Sequence, residues 1–115
     1  MNYDLLKKRI DNENKKIILY GLNENTEKII KKKIFKRIIG VSGNEKKTGK
    51  FFGKKFFNVK KIIKKNILIV ITAKKPTNIV IFNELRRLCN SSTVSICDLD
   101  GRSFDKKYNL NFKSH

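Results

Sequence analysis

Residues 67–73, Ile67-Leu68-Ile69-Val70-Ile71-Thr72-Ala73, form the most apolar run in the chain. The run is strand-length, far short of the ~20 residues that a membrane-spanning helix needs. It is apolar on both faces, the mark of a parallel strand covered by helices above and below. Outward from it, Lys16–Tyr20 (KIILY) reads as a buried strand ending at Gly21. Ile38–Val41 reads as a second strand, Phe56–Val59 as a short one and Thr93–Leu99 as the last. Between them lie stretches with helical spacing: Tyr3–Asn12 with Asn2 as N-cap, Glu24–Phe35 with acids in its first turn, and Val59–Lys65 capped by Asn58. A further helix starts at Pro76 or Thr77 and runs to about Leu88, with Val80, Ile81, Leu85 and Leu88 as its stripe. Gly40 to Gly53 holds four glycines and reads as loop.

Strand and helix alternate, and crossovers between parallel strands are right-handed. The expectation is an α/β fold: a small three-layer Rossmann-like domain with a mostly parallel sheet of about five strands, 16–20 and 67–73 central. At 115 residues the chain suits one domain. Its parts are an N-terminal helix (1–14), the Rossmann-like core (15–100) and a polar tail (101–115).

Twenty-eight Lys and Arg stand against ten Asp and Glu, a net charge of +18. Lys, Ile and Asn, all with AT-rich codons, make 52 of the 115 residues, which points to a low-GC genome. Codon drift would spread lysine evenly. Instead residues 28–83 carry seventeen basic side chains and a single acid, Glu45, while 1–27 are balanced at five each. A field this one-sided concentrates anions and speeds encounter with acidic partners. Within it, residues 46–57 hold five lysines and four phenylalanines. Lysines contact phosphates without sequence preference, and aromatic rings stack on splayed bases. The alternative for the phenylalanines is that they plug the sheet edge. Lys28, Lys32 and Lys36 share one face of the second helix, flanked by Lys31 and Lys33. Lys74 and Lys75 follow the strongest strand at its C-terminal end, where open α/β sheets bind ligands. Gly21–Asn25 and Ser42–Lys47 should share that edge, giving it a positive rim. The candidate binding residues are thus Lys28, Lys31, Lys32, Lys36, Lys46, Lys47, Lys50, Phe51, Phe52, Lys54, Lys55, Lys74 and Lys75.

The residues that catalysis ordinarily uses are sparse. The one histidine is His115, so a nucleophile lacks its usual base. Cys89 and Cys97 are two thiols where structural zinc needs four ligands. No metal and no cofactor are expected. The first residues lack an apolar signal segment, so a reducing cytoplasm and free thiols are expected, with no membrane partner.

The order KIILYGLNENTEKI (16–29), IIGVSG (38–43), TGKFFGKKFFNVKKIIKKNILIVITA (48–73), a helix, then VSICDLDGRSF (94–104) resembles the Rossmann-like domain of bacterial polysaccharide and sugar-biosynthesis proteins. In that family the domain often precedes a transferase or a haloacid-dehalogenase-like hydrolase. The resemblance covers about 15–104 and implies a nucleotide- or nucleotide-sugar-binding module. The loop Gly21-Leu22-Asn23-Glu24-Asn25-Thr26 keeps only the first glycine of G-x-G-x-x-G, and Ser42 stands where the family has its ribose-binding acid. Asp98-Leu99-Asp100-Gly101 looks like the opening of the haloacid-dehalogenase phosphatases, which would imply a nucleophile and a general acid. A turn stabilised by aspartates is expected instead. Gly43–Phe51 departs from the nucleotide P-loop, its glycine spacing one too long and Phe51 in place of the magnesium-binding hydroxyl.

The expected function is a non-catalytic basic binding protein. Its partner would be nucleic acid, RNA ahead of DNA, or an acidic or nucleoprotein complex. One form of this is a phage-type inhibitor of an RNA-guided nuclease. The alternative is the degenerate nucleotide-sugar module that the resemblance implies.

Overall fold

The structure, a computed structural model, describes residues 3–33, 35–63, 66–89 and 93–104. Four parallel strands make the main sheet: β1 (Lys16–Tyr20), β2 (Ile38–Ser42), β5 (Ile67–Ile71) and β6 (Val94–Cys97), in the order β2-β1-β5-β6. β1 and β5 are central, as the apolar runs predict. A second sheet is a hairpin of β3 (Lys50–Phe51) and β4 (Lys54–Lys55), antiparallel.

The helices are α1 (Asp4–Glu13), α2 (Glu24–Lys32), α3 (Val59–Ile62) and α4 (Thr77–Leu88). They lie on both faces. Alternation along β1 sends Ile17 and Leu19 into one core with Leu6 and Ile10 of α1 and Ile29 of α2. It sends Ile18 and Tyr20 into the other, with Ile62 of α3 and Phe82 and Leu85 of α4. All five side chains of β5 are buried, each contributing about 2 kcal/mol of transfer free energy. β2 carries one extra residue relative to β1, between Ile38 and Gly40. Ile38 and Val41, of opposite parity, therefore both reach the α1–α2 core.

Four expectations need correction. The Phe56–Val59 strand shrinks to one parallel bridge, Val41 to Phe56, after which the chain turns into α3. α2 stops at Lys32, because Lys33 takes a left-handed C-cap at φ 56° and donates its N–H to Ile30 O. Lys36 therefore lies outside the helix and does not share its face with Lys28 and Lys32. Asn58 precedes α3 without a side-chain cap; it accepts from Lys47 N and donates to Lys47 O instead. The buried face of α4 is Asn78, Phe82 and Leu85, while Val80 and Leu88 are exposed. Phe82 decides that face by stacking on Phe104, ring centroids 4.7 Å apart. Asn2, Lys64, Lys65 and most of the expected polar tail lie outside the described residues.

Both ends of the core are sewn together. Arg9 of α1 donates to Gly101 O at 2.9 Å and Ser103 Oγ at 2.8 Å, and pairs with Glu13 at 2.6 Å. Lys15 reaches Ser95 Oγ on β6. Burial works to raise the Glu13 carboxyl, but hydrogen bonds from Ser95 and Arg9 and the charges of Arg9 and Lys15 outweigh it and hold the pKa below the usual value.

The Cys97 thiol is fully buried, and burial pushes its pKa up to about 12; Cys89 is half-buried and raised in the same direction for the same reason. A thiol-disulfide reagent near neutral pH should label Cys89 in the folded protein and Cys97 only after denaturation. Equal labelling rates would contradict this packing. The unfolded Cys97 ionises near its ordinary value, so the folded state binds the proton more tightly. Stability should therefore fall as pH rises from about 9 towards 12.

Candidate functional site

The C-terminal edge of the sheet carries two neighbouring cavities that meet at Ala73. The first, about 530 Å³, lies at the ends of β1 and β5, where the crossovers diverge to either side. Its lining includes Gly21, Leu22, Asn23, Gly43, Asn44, Lys47 and Phe56, with Thr77, Val80 and Ile81 of α4. The loops after β1 and β2 do share this edge. Its charges are one lysine, Lys47, beside Glu45 and Glu84, and Lys47 pairs with Glu45 at 3.4 Å.

The floor of that edge is a polar knot, which spacing alone does not reveal. Asn23 Nδ2 donates to Thr72 Oγ1 at 3.0 Å, and the Thr26 and Thr72 hydroxyl oxygens are 2.9 Å apart. Thr26 Oγ1 donates to Gly21 O, and Asn25 Nδ2 to Thr72 O at 3.0 Å. Thr72 stands 46 to 49 residues from Asn23, Asn25 and Thr26. Thr72 breaking an apolar run and Asn23 preceding the acids of α2 are their only local signals. Asn23 Oδ1 also accepts the Thr26 N–H at 3.1 Å. The helix N-terminus that would cradle a pyrophosphate in a dinucleotide fold is thus capped from within, with Glu24 in its first turn.

The second cavity, about 400 Å³, is lined by Lys74, Lys75, Asn78, Asp98, Asp100 and Arg102. Asp98 Oδ1 accepts from the backbone N–H groups of Asp100 (2.9 Å) and Arg102 (3.0 Å). These bonds hold the turn after β6 in shape.

The other candidates gather elsewhere, around the outer edge of β2. The hairpin packs along that edge. Phe57 N donates to Val41 O at 2.8 Å, and Lys54 Nζ to Ile38 O at 3.3 Å. Gly40 permits it, since a Cβ there would lie 2.5 Å from Lys55 O and collide with the Phe57 ring. Phe56 is buried, and Phe51 packs on it edge-to-face at 5.6 Å. Phe57 lies under Lys55, 5.1 Å from its ring centroid. Those three rings plug the edge. Phe52 does not: it stands exposed in the turn.

Lys50 and Phe51 pair with Lys55 and Lys54, leaving Phe52-Gly53 as a two-residue turn. Both have positive φ, 53° and 79°, the signature of a type I′ turn that favours Asn-Gly. A non-glycine residue there carries a strain of about 1 kcal/mol.

α2 leads into β2 from one face and α3 leaves its edge for the other. Between Glu24 and Ile63 stand thirteen basic residues and three acids, so a basic belt surrounds the β2 edge. Lys28 and Lys31 are paired along α2 with Glu24 (3.2 Å) and Glu27 (3.6 Å). With Lys32 and Tyr3 they line a depression of about 430 Å³. Lys36, Lys46, Lys50 and Lys55 are exposed. The structure thus brings the α2 and hairpin lysines to one side and sets Lys74 and Lys75 apart, beyond the switch point.

Among the described residues no three His, Cys, Asp or Glu side chains gather as a metal would require, and no helix is long and apolar enough to cross a membrane. Comparison with protein-family models, with curated proteins and with solved structures found no match.

Proposed function

We propose that the chain is a non-catalytic binding protein that holds nucleic acid, free or within a nucleoprotein complex, on the basic belt around β2. The observation that carries this reading is the thirteen-to-three excess of basic residues between Glu24 and Ile63, the segment folded around one sheet edge. A lysine surface on a polyphosphate releases condensed counterions, so the affinity is steeply salt-dependent. RNA is the preferred ligand, because the belt carries an exposed aromatic ring beside its lysines. Inhibition of a nucleic-acid enzyme is the narrower form of this reading.

The test is anisotropy of a labelled unstructured RNA titrated with the protein at several salt concentrations. Binding at low salt, with log affinity falling linearly against log salt, is expected. No binding to RNA or DNA at low salt would end the proposal.

One observation favours a second reading. The cavity of about 530 Å³ sits at the topological switch point, where α/β sheets take small ligands. A nucleotide-sugar would have to approach Glu45 and Glu84 and a helix N-terminus already capped by Asn23. A thermal-shift panel of nucleotides and nucleotide-sugars separates the two readings.

A further inference from the structure

We infer that Phe52 is a stacking platform for an unpaired base, so the nucleic acid held by this protein is single-stranded; the inference rests on the nucleic-acid reading above and narrows it. Three observations converge on this ring. Of the four phenylalanines in the basic segment, Phe51, Phe56 and Phe57 plug the β2 edge or pack on it, while Phe52 stays 38% exposed. Its backbone sits at φ 53° in a turn position suited to Asn or Gly. No ring pair or cation contact within the described residues offsets that strain. Strain held at a position whose ring has neither aromatic nor cation partner points to use of that position. Finally, the turn that carries the ring is flanked by lysines: Lys50 on one strand, Lys54 and Lys55 on the other. Gly53 beside it is bounded by open space, with nothing within 4 Å of where a Cβ would stand.

The chemistry selects the ligand. A duplex keeps its base faces inside the stack and offers the hairpin only phosphates. A single strand offers phosphates to the lysines and a free base face to the ring. An anionic membrane is the competing surface, but one ring gives little apolar area for insertion.

The experiment uses the full chain with a labelled oligouridylate, a labelled RNA duplex and vesicles containing phosphatidylserine. The variants are Phe52→Ala, Phe52→Asn and Phe52→Tyr. The wild type should prefer the single strand. Phe52→Ala and Phe52→Asn should weaken oligouridylate binding about ten-fold and leave duplex binding and the salt slope unchanged. Phe52→Tyr should retain the affinity. Phe52→Asn should also melt at a higher temperature, because Asn-Gly suits the turn, which separates lost stacking from lost folding. Wild-type affinity in the Ala and Asn variants, equal affinity for duplex and single strand, or binding to vesicles without binding to oligouridylate would each overturn the inference. Salt-dependent binding that ignores Phe52 leaves the belt reading intact. The absence of salt-dependent binding by the wild type removes both.

Discussion

Neutralising Lys36, Lys46, Lys50 and Lys55 together with glutamine is expected to lower affinity for single-stranded RNA about a hundred-fold at low salt. All four are exposed, and none is held in an ion pair among the described residues. Each removed phosphate contact should cut the slope of log affinity against log salt by about 0.7, so four contacts reduce it by about 3. The fold should not suffer. Removing four like charges from one region relieves self-repulsion, so the melting temperature should hold or rise. That opposition of effects keeps the result readable. The comparison variant replaces Lys8 on α1 and Arg87 on α4, exposed cations on elements other than β2 and its hairpin, and should bind nearly as well as wild type. If the two variants lose affinity equally per charge removed, the lysine excess acts as a diffuse cloud and the belt has no special standing.

Gly21→Ala is expected to cost about 3–5 kcal/mol, a large share of the 5–15 kcal/mol that holds a typical domain folded. Gly21 sits at φ 134°, which L side chains rarely adopt. A Cβ there would overlap Thr72 Oγ1 and lie 2.8 Å from Asn23 Nδ2. Both neighbours are tied into the polar knot, so neither can withdraw without leaving buried partners unpaired. The knot also ties the end of β1 to both of its neighbours: the Gly21 N–H donates to Ser42 O of β2, and the Thr72 N–H, just after β5, donates to Tyr20 O. Urea denaturation followed by far-ultraviolet circular dichroism measures the loss. A cost under about 1 kcal/mol would mean that the loop relaxes freely and the knot does not organise this edge. By contrast, a change at an exposed position such as Lys46→Gln should shift stability by at most about 0.5 kcal/mol.

The layered α/β architecture was legible because its signals are local. β1 and β5 are apolar on both faces, and helical spacing separates them from their neighbours. The corrections arise where a distant partner or a single backbone angle decides. Asn78-Ile79-Val80-Ile81-Phe82 is apolar at four of five positions, so its own spacing offers several stripes. The stack of Phe82 on Phe104 selects one. Nothing in Lys31-Lys32-Lys33 punctuates a helix, yet Lys33 turns left-handed and ends it. The β3–β4 hairpin has two residues per strand, too few for alternation to register. The site divides in the same way. Its lysines are plain in the sequence, but their gathering at the β2 edge needs the strand order. The choice of Phe52 over its three neighbours needs the pairing of Lys50 with Lys55.

The seam between Arg9 and the segment Gly101–Ser103 also sets an order of events during synthesis. α1 leaves the ribosome some ninety residues ahead of the groups it must hold. β1 likewise waits for β5, its partner on the inner side of the sheet. Contacts this distant in sequence form late and slow the folding of a nascent chain. In that interval the apolar strands are exposed, and the segment between them carries the densest positive charge in the molecule. Chains bearing that charge repel one another, so the same lysines keep neighbouring nascent copies apart until the last strand arrives.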